Sequence, residues 1–600
     1  MILYLLSHSL LIKEGYLATA SEGGTVYHYT RDREGRTLSR SAWGRTLYED
    51  RYDRDGKLQE SADGMGKISY CYDRAGRLTR VSSNSGAGAG YRYDRNGRQT
   101  QVLYANGMKT SYRYDSRSRM TGMETLMPGG ELLYRLSCTY DRAGNRDGRE
   151  EQYRDAVSGS IHTAVTSYAY DSMGRLTGET LDGETACYSY DHAGNRLTRT
   201  GAGRTEHYRY NSRNQLTELD STAGTVRYEY DPAGSLTAEV HTAQGGSAAE
   251  RTGYTYDAYN RNTSVCGAGY VQQNHYDAEG LRYAVTENGE TTNFVYRNGM
   301  PVSELDADKN PVRGYVLENE YISQVNGTTF GYYLNDGQES VRYLTGSDGS
   351  IRNHYRYSAF GETITAEETV SNRLRYNGQM ADGLTGLYYL RARYYNASLG
   401  RFTQEDVIYN DGLNLYAYCS SNPVMYEDPS GYSAWDDFRK QNKGKYNKKE
   451  LSQAYEKSGL KSSKNAIYDP KSGKKFKYSD SSIRPSYGAN QVQTVWDRDV
   501  VKDPSSSHYG QVYDEKNNKW LSWNKSEPRQ GQWDMGHIEN KEYRGALEKY
   551  INMEYDPNDF DRNQQLFESY YRNPDNYHAE DCHGNRSDNQ KNKNKCQKKG

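Results

Sequence analysis

A short motif, Tyr-Asp-x-x-Gly-Arg-Leu, recurs at a nearly constant spacing through the first half of this chain. It stands as Tyr72-Asp73-Arg74-Ala75-Gly76-Arg77-Leu78 and, in a variant form, as Tyr190-Asp191-His192-Ala193-Gly194-Asn195-Arg196. Most steps between copies are 20 or 21 residues, and a fixed period of this kind is the signature of a repeat protein. The acidic or amide position of the motif is occupied by Asp32, Asp53, Asp73, Asp94, Asp115, Asp141, Asp171, Asp191, Asn211, Asp231, Asp257 and Asp277.

Each repeat has the sequence of a β-hairpin. The Tyr-x-Tyr that precedes the turn places two rings on one face of a strand, because side chains alternate sides. The Asp begins a turn by accepting backbone N–H bonds, and the Gly three residues later supplies a positive φ. The Arg begins the returning strand, where it either pairs with the turn carboxylate or stacks on the rings. The sequence therefore predicts an array that adds one hairpin per repeat.

The composition excludes a disordered chain in spite of its polarity. Only 34% of the residues are apolar and 26% are charged. The chain nevertheless has 61 Tyr, whereas disordered chains are poor in aromatic residues. There are only 8 Phe, so the chain favours aromatic rings that can also form hydrogen bonds when they are buried.

The composition changes abruptly at residue 432. Residues 1–432 contain 5 Lys and carry a net charge of −8, whereas residues 433–600 contain 23 Lys and carry +6. Such a change predicts a domain boundary. A basic module attached to an acidic array fits a nucleic-acid binder, although two independently soluble surfaces would explain the same charges.

The cysteines and the apolar stretches give mostly negative information. The seven Cys include no Cys-x-x-Cys pair, so neither a zinc ribbon nor a disulfide framework is indicated. Cys71 and Cys138 lie within repeats, where we expect both to be buried. The opening MILYLLSHSLLI lacks the features of a secretory signal and is interpreted as a strand of an array whose beginning is missing. No membrane span is predicted.

The repeats resemble the YD repeats of Rhs proteins and related polymorphic toxins. In that family the repeats wind into a hollow β-sheet shell that encloses a C-terminal toxin, so the resemblance implies a mainly β fold. We predict a repeat shell over residues 1–290 and the family's associated core segment over residues 291–432. The motifs that carry the core resemblance are Tyr332-Tyr333-Leu334-Asn335-Asp336, Tyr376-Asn377-Gly378-Gln379, Arg391-Ala392-Arg393-Tyr394-Tyr395, Asn414-Leu415-Tyr416-Ala417-Tyr418 and Asp428-Pro429-Ser430-Gly431-Tyr432.

The same resemblance implies a self-cleaving junction. In this family two Asp-Pro-x-Gly motifs close the core, and their carboxylates cut the chain after the second motif. Here Asp406 and Asp428 stand 22 residues apart, and Asp406 lacks the following Pro and Gly. We predict cleavage between Tyr432 and Ser433, with Arg401 holding one carboxylate ionised. The alternative is that both Asp residues only cap turns.

The last part of the chain carries a second set of motifs. Trp533-Asp534-Met535-Gly536-His537 is followed by Asn573-Pro574-Asp575-Asn576-Tyr577, by Glu580 and by Asn585-Arg586-Ser587-Asp588. This order resembles the HNH/endonuclease VII superfamily, in the subgroup named for its conserved Gly, His and Glu, and implies an α+β nuclease of the ββα-metal type. We predict a Lys-rich linker over residues 433–484 and the nuclease with a basic tail over residues 485–600, beginning with short strands over 485–530.

The chemistry of phosphodiester hydrolysis assigns roles to these residues. His537 is the predicted general base, and Glu580 either orients His537 or completes a metal shell. Asp534, Asn585 and Asp588 are the predicted ligands of one divalent ion, with Asn585 also counted as catalytic. Their oxygen atoms favour Mg²⁺ or Mn²⁺; relatives often have His where Asp588 stands. Zn²⁺ is less favoured, since the nearby Cys582 and His583 fit no familiar zinc spacing. For His537, the alternative is a structural histidine.

These predictions combine into one hypothesis and a rival. The first is a polymorphic toxin, secreted or displayed at the cell surface, whose nuclease part acts on DNA or RNA in the cytoplasm of a target cell. The resemblance then implies secretion machinery and a cognate immunity protein as partners. The rival is a cell-surface adhesion protein whose Tyr-lined sheet binds carbohydrate and whose C-terminal module is inactive. A nucleobase deaminase is disfavoured because its His-x-Glu and Pro-Cys-x-x-Cys motifs do not occur.

Overall fold

The fold was analysed in a computed structural model of the chain. It describes residues 8–13, 16–22, 24–201, 203–246, 249–317, 320–327, 329–407, 414–432, 466–468, 475–477, 491–503, 505–514, 519–523, 534–537 and 577–580. The chain forms two compact units, Met1–Ser462 and Ser463–Gly600.

The first unit is built on one antiparallel sheet in which each strand pairs with the next strand in the chain. This meander has 34 strands among the described residues. They are β1 His8–Lys13, β2 Tyr16–Glu22, β3 Thr25–Arg31, β4 Thr37–Ala42, β5 Arg45–Tyr52, β6 Leu58–Asp63, β7 Gly66–Tyr72, β8 Leu78–Ser83, β9 Gly88–Tyr93, β10 Gln99–Tyr104, β11 Lys109–Tyr114, β12 Met120–Leu126, β13 Leu132–Tyr140, β14 Arg146–Arg154, β15 Ile161–Tyr170, β16 Leu176–Leu181, β17 Glu184–Tyr190, β18 Arg196–Gly201, β19 Arg204–Tyr210, β20 Leu216–Ser221, β21 Gly224–Tyr230, β22 Leu236–Ala243, β23 Glu250–Tyr256, β24 Asn262–Gly267, β25 Tyr270–Tyr276, β26 Arg282–Glu287, β27 Glu290–Arg297, β28 Met300–Leu305, β29 Pro311–Leu317, β30 Tyr321–Asn326, β31 Thr329–Asn335, β32 Val341–Gly346, β33 Ile351–Tyr357 and β34 Thr363–Glu368.

The turn of each repeat is closed by its own Asp and Arg. At the turn between β9 and β10, the Asp94 carboxylate accepts the backbone N–H groups of Asn96 and Arg98 at 2.9 and 3.0 Å. Gly97 has φ +81°, which a residue with a side chain rarely adopts. The Arg98 guanidinium then pairs with Asp94 at 2.7 Å and stacks over Tyr114 at 4.9 Å. The two roles that the sequence offers for this arginine therefore both occur.

The two tyrosines of each repeat differ in their burial and in their hydrogen bonds. In β17, Tyr188 is buried, Ser189 is exposed and Tyr190 is half-buried. The hydroxyl of Tyr190 donates to the backbone carbonyl of Leu176 at 2.7 Å, and Tyr114 donates to the carbonyl of Gln99 in the same way at 2.8 Å. A Phe ring could not make this bond, which accounts for the chain's preference for Tyr.

The sheet packs against itself and against the segment that follows it. One buried cluster joins β7–β13 to β29–β32, and a larger one joins β2–β5 and β19–β33 to residues 374–418. That segment forms four short strands, β35 Met380–Ala381, β36 Tyr388–Tyr389, β37 Tyr394–Asn396 and β38 Arg401–Phe402, and two 3-10 turns at Tyr376–Gly378 and Cys419–Ser421. We call residues 371–432 the closing segment.

The second unit has a small core of its own. It contains β39 Ala466–Tyr468, β40 Lys475–Lys477, helix α1 Gln491–Asp499, β41 Val512–Asp514, β42 Lys519–Leu521, β43 Asp534–His537 and β44 Tyr577–Glu580. Val495, Trp496, Val512 and Leu521 are buried together. No helix among the described residues is long and apolar enough to cross a bilayer.

Two sequence-based expectations are wrong in detail. The stretch over residues 485–530, expected to form short strands, contains β41 and β42 but also the helix at 491–499, because Val492, Val495 and Trp496 recur at helical spacing. Cys138 is buried as expected, but Cys71 is exposed. Cys138 occupies the first Tyr position of its repeat, whereas Cys71 lies between the two tyrosines and points to the other face.

A buried ion pair ties the closing segment to the repeats. Both nitrogens of the Arg282 fork bind Asp382, at 2.6 and 2.8 Å, and both side chains are fully buried. We expect Asp382→Ala to lower the free energy of unfolding by about 3–5 kcal/mol, because it leaves an unpaired buried charge. The double variant Arg282→Met/Asp382→Leu should lose much less. Thermal unfolding followed by circular dichroism measures both.

The matched control for this prediction is an exposed pair. Glu218→Ala removes the partner of Arg209, whose side chain is 64% exposed, and should cost under about 1 kcal/mol. Equal losses for Asp382→Ala and Glu218→Ala would contradict a special role for the buried pair.

The stability of the first unit should depend on pH through the carboxyl group of Glu179. Burial raises the pKa of this carboxyl to about 7, although the Ala359 N–H donates to it at 2.9 Å. Because the pKa is higher in the folded state than in the unfolded state, the protonated carboxyl group favours folding. This stabilisation is complete below about pH 4.5 and is lost as the pH rises through 7. We therefore expect Glu179→Gln to stabilise the protein at pH 8 by roughly 1–3 kcal/mol, and by less at pH 5.

Denaturant unfolding at both pH values tests this expectation. Glu150→Gln, at an exposed position of β14, is the control and should shift stability little at either pH. The prediction is wrong if Glu179→Gln raises the free energy of unfolding less at pH 8 than at pH 5, with the wild type as the reference at each pH.

Candidate active sites at the junction and in the C-terminal unit

The two aspartates of the predicted cleavage site meet at one arginine. Asp406 and Asp428 are 3% and 6% exposed. Nη2 of Arg393 lies 2.8 Å from Oδ2 of Asp406 and 3.8 Å from Oδ2 of Asp428. The structure therefore brings together the carboxylates that the sequence places 22 residues apart.

The same guanidinium also binds the chain at the predicted cut. Arg393 donates from Nε to the carbonyl of Gly431 at 2.5 Å and from Nη2 to the carbonyl of Tyr432 at 3.1 Å. Its third donor, Nη1, binds the carbonyl of Leu415 at 2.9 Å. One side chain thus contacts both acids and the carbonyl group of the bond that links Tyr432 to Ser433.

Local structure holds this arrangement in place. Arg393 directly precedes β37, and its guanidinium stacks over the Phe402 ring of β38 at 3.7 Å. Asp428 caps the turn that follows it, accepting the Gly431 N–H at 2.9 Å. The Ala392 N–H donates to the carbonyl of Ser430 at 3.1 Å. Two neighbouring stretches of the closing segment therefore fix the arginine and the junction against each other.

Arg401 does not hold either carboxylate, and that assignment is corrected to Arg393. Arg401 is buried between the rings of Tyr210 and Tyr416, at 5.0 and 4.9 Å, and donates to the carbonyl of Asn214 at 2.6 Å. Sequence reasoning chose the arginine nearest Asp406 in the chain. The signal for Arg393 was its place in the Arg-Ala-Arg-Tyr-Tyr motif, but only the pairing of β37 with β38 shows which arginine reaches the acids.

A cavity of about 1140 Å³ opens beside the junction. Its lining includes Arg393, Asp406 and Tyr432, together with Glu339 and Glu427. Burial, followed by the charges of Glu427 and Glu320, raises the pKa of Glu339 well above its usual range. The predicted cut site therefore faces a polar space in which at least one further carboxyl group favours its neutral form.

In the second unit, the backbone brings two predicted site positions together. β43 and β44 pair in an antiparallel register that sets Asp534 opposite Glu580 and His537 opposite Tyr577. Directly opposed Cα atoms in such a pair lie about 4.5–5.5 Å apart. Helix α1 and strand β41 both lie against β44.

Other predicted site residues cannot be placed. Asn585, Asp588, Cys582 and His583 lie outside the described residues. Within the part of the chain that is described, no group of three or more His, Cys, Asp and Glu side chains could hold a metal ion.

Comparison with known families divides the chain in the same way as its motifs. The model of the teneurin YD-shell family matches residues 19–132, 123–245 and 312–433. The model of the HNH/ENDO VII superfamily nucleases with conserved GHE residues matches residues 509–590.

Individual relatives match the chain over shorter stretches. The chain is 35% identical over 198 residues to a tRNA3(Ser)-specific nuclease WapA of Bacillus spizizenii, which covers 30% of this chain and 8% of that protein. It is 32% identical over 163 residues to double-stranded DNA deaminase toxin A of Burkholderia cenocepacia, covering 26% of this chain and 11% of that protein. The chain thus spans only about a tenth of the length of these relatives.

A solved structure shares the fold of the first unit. The Tc holotoxin pore of Photorhabdus luminescens, carrying the mutation TccC3-D651A, superposes with a TM-score of 0.53 at 17% identity, over 71% of this chain and 24% of that one. The mainly β fold and the resemblance to Rhs and YD-repeat proteins are confirmed. The chain belongs to the teneurin YD-shell family and carries at its C-terminal end a nuclease domain of the HNH/ENDO VII superfamily.

Proposed function

We propose that this protein is a polymorphic toxin whose YD-repeat shell encloses a metal-dependent nuclease and releases it by cutting the chain after Tyr432. The observation that carries the proposal is the junction: Asp406, Asp428 and the Tyr432 carbonyl all contact Arg393, at the point where the shell family match ends. A buried acid pair at this boundary has an obvious use in separating the two parts.

The contacts support a hydrolytic mechanism for the cut. One carboxylate takes a proton from a water molecule, and the resulting hydroxide attacks the carbonyl carbon of Tyr432. Arg393 Nη2, which donates to the Tyr432 oxygen, stabilises the negative charge that develops there. The second carboxyl group donates a proton to the departing nitrogen of Ser433. The products are a carboxylate on Tyr432 and a free amine on Ser433.

The proposed nuclease uses His537 as its general base. His537 takes a proton from the attacking water, and Glu580 either orients it or joins the metal shell. Asp534, with Asn585 and Asp588, would hold one Mg²⁺ or Mn²⁺ ion. That ion, when bound, supplies a Lewis acid for the phosphate and the leaving oxygen. The register that sets Asp534 opposite Glu580 supports the role of Glu580 in the metal shell, because side chains alternate along a strand and position 537 faces the other side of the sheet.

The remaining parts of the proposal follow from what a toxin needs. The nucleic acid substrate belongs to a target cell, and the shell is exported by secretion machinery to reach it. The producing cell requires an immunity protein that blocks the nuclease. The Bacillus and Burkholderia relatives, named as a tRNA nuclease and a toxin, support this reading.

Self-cleavage should depend on the junction residues. We expect the purified wild-type chain to separate on a denaturing gel into fragments of residues 1–432 and 433–600, with Tyr432 as a new C-terminus by mass spectrometry. Asp406→Asn, Asp428→Asn and Arg393→Met should each remain one chain of 68.4 kDa, because each removes a proton-transfer group or the carbonyl donor.

Asp306→Asn, at an exposed repeat turn, is the matched control and should be cut as completely as the wild type. An uncut wild-type chain, or an Asp428→Asn variant that is cut normally, would end the cleavage proposal.

Nuclease activity should depend on His537 and on a divalent ion. We expect the full chain with Mg²⁺ or Mn²⁺ to degrade labelled RNA or DNA, and EDTA to abolish this. His537→Ala should reduce the rate by about 100-fold or more, since it removes the general base.

His241→Ala, at an exposed histidine of β22, serves as the control and should keep full activity. Degradation that survives both EDTA and His537→Ala would contradict the proposed site and not merely its metal preference.

A further inference from the structure

Three aromatic side chains form a preassembled stack on the hairpin of β41 and β42. The His508 ring lies over Trp520 with centroids 3.9 Å apart and planes within 6°. Tyr513 contacts the same indole at 5.0 Å and is 41% exposed. The neighbouring Tyr509 is 59% exposed. Exposed tyrosine rings therefore stand beside the parallel pair of His508 and Trp520, with Tyr513 tilted by 49° to the indole.

This stack is not part of the core of its unit. Tyr513 and Trp520 face each other across the hairpin, and so do Val512 and Leu521 on the other face. Val512 and Leu521 are buried against Val495 and Trp496 of α1. The hairpin thus packs one face into this core, while on the other face Trp520 is half-buried and Tyr513 is exposed.

Side-chain hydrogen bonds fix the stack in advance. His508 Nδ1 lies 2.9 Å from Oε1 of Gln511, and Nε2 of Gln511 donates to Ser522 Oγ at 2.9 Å. Gly510, with φ +79°, turns the chain so that its N–H donates to the carbonyl of Val501 at 3.0 Å. The imidazole is therefore held parallel to the indole, and a bound ring would meet a surface that needs little reordering.

The position of the stack relates it to the proposed chemistry. β41, which carries Tyr513, lies against β44, and β44 pairs with the strand that carries Asp534 and His537. The match to the nuclease family covers Tyr509, Tyr513 and Trp520. The strand that carries Tyr513 is therefore a neighbour of the paired strands that carry the residues of the proposed nuclease site.

We propose that His508, Tyr513 and Trp520 form a stacking site for an unpaired nucleobase, so that the nuclease acts on single-stranded RNA or DNA. This inference rests on the proposed function and names its substrate class. Unpaired bases expose the π-face that aromatic side chains bind, whereas bases in a duplex are already stacked on one another. The net charge of +6 on residues 433–600 suits a polyanion such as a nucleic acid.

The test measures binding by the full chain in EDTA, so that cutting does not interfere. Fluorescein-labelled oligouridine and oligothymidine of about 12 nucleotides and a duplex of the same length are titrated by fluorescence anisotropy. We expect tighter binding of both single strands than of the duplex. Tyr513→Ala should weaken single-strand binding about tenfold, within the range known for loss of one stacked base. Tyr513→Phe, which keeps the ring, should bind as the wild type does.

Two controls separate stacking from misfolding. Tyr259→Ala removes a tyrosine of similar exposure, 52%, from the first unit and should leave binding unchanged. Trp520→Ala should also weaken single-strand binding, but this substitution removes a ring that packs within the hairpin. The deciding variant is therefore Tyr513→Ala, provided that its thermal midpoint equals that of the wild type. Full binding by Tyr513→Ala, or a wild-type preference for the duplex, would overturn the inference and would favour a protein partner for this face.

The outcome is distinguishable from failure of the proposed function. If the wild type binds single strands through Tyr513 but cuts nothing with Mg²⁺ or Mn²⁺, the stacking site stands and the nuclease proposal fails. If the wild type cuts nucleic acid, and Tyr513→Ala binds and cuts single strands as the wild type does, only the stacking site is wrong.

Discussion

The fold of the first unit depends on one repeated interaction, in which the arginine of a hairpin turn binds the turn aspartate and stacks on a tyrosine of the next hairpin. It occurs at the turns that begin at Asp32, Asp73, Asp94, Asp115, Asp171 and Asp257, with ion-pair distances of 2.5–2.7 Å and ring distances of 4.3–5.0 Å. The pairs are individually modest. Because each one links a turn to the next hairpin, together they set the register of a sheet that would otherwise be free to slip.

The closing segment binds where this interaction is missing. The turns at Asp191 and Asn211 have Asn195 and Gln215 in place of the arginine. Tyr210, the ring that an arginine at position 195 would cover, instead receives Arg401 of the closing segment. The closing segment also fills the next gap, since Tyr416 packs against Tyr230 at 6.0 Å and its hydroxyl accepts a bond from Gln215 at 3.2 Å. Loss of the repeat consensus at two turns therefore creates a specific docking edge.

This docking has a consequence for the junction. Arg401 and Tyr416 lie on either side of Asp406 in the chain, and both are fixed to the repeats. Asp406 is thereby held where Arg393 can reach it together with Asp428. The proposed cutting site thus becomes complete only when the repeats have formed and the closing segment has bound to them.

The sequence by itself determined a great deal of this protein. The spacing of Asp73, Asp94 and their equivalents predicts the hairpin array, because a turn aspartate and a glycine have local requirements that any chain must meet. The Asp-x-Gly-His motif, with the motifs that follow it, predicts the nuclease, and the family models agree on both domains. The resemblance to the family's two closing motifs also implied that Asp406 and Asp428 lie close together.

Only the tertiary structure decided which residues complete these sites. Arg393 and Arg401 are equally plausible in sequence, and the choice rests on the β37–β38 pairing and on a docking edge some 190 residues earlier in the chain. Cys71 and Cys138 differ in burial by one position within a strand. The stack of His508 on Trp520 joins residues that are 12 positions apart in the chain. Local motifs report what a segment can form, whereas contacts between distant segments depend on packing that no single segment encodes.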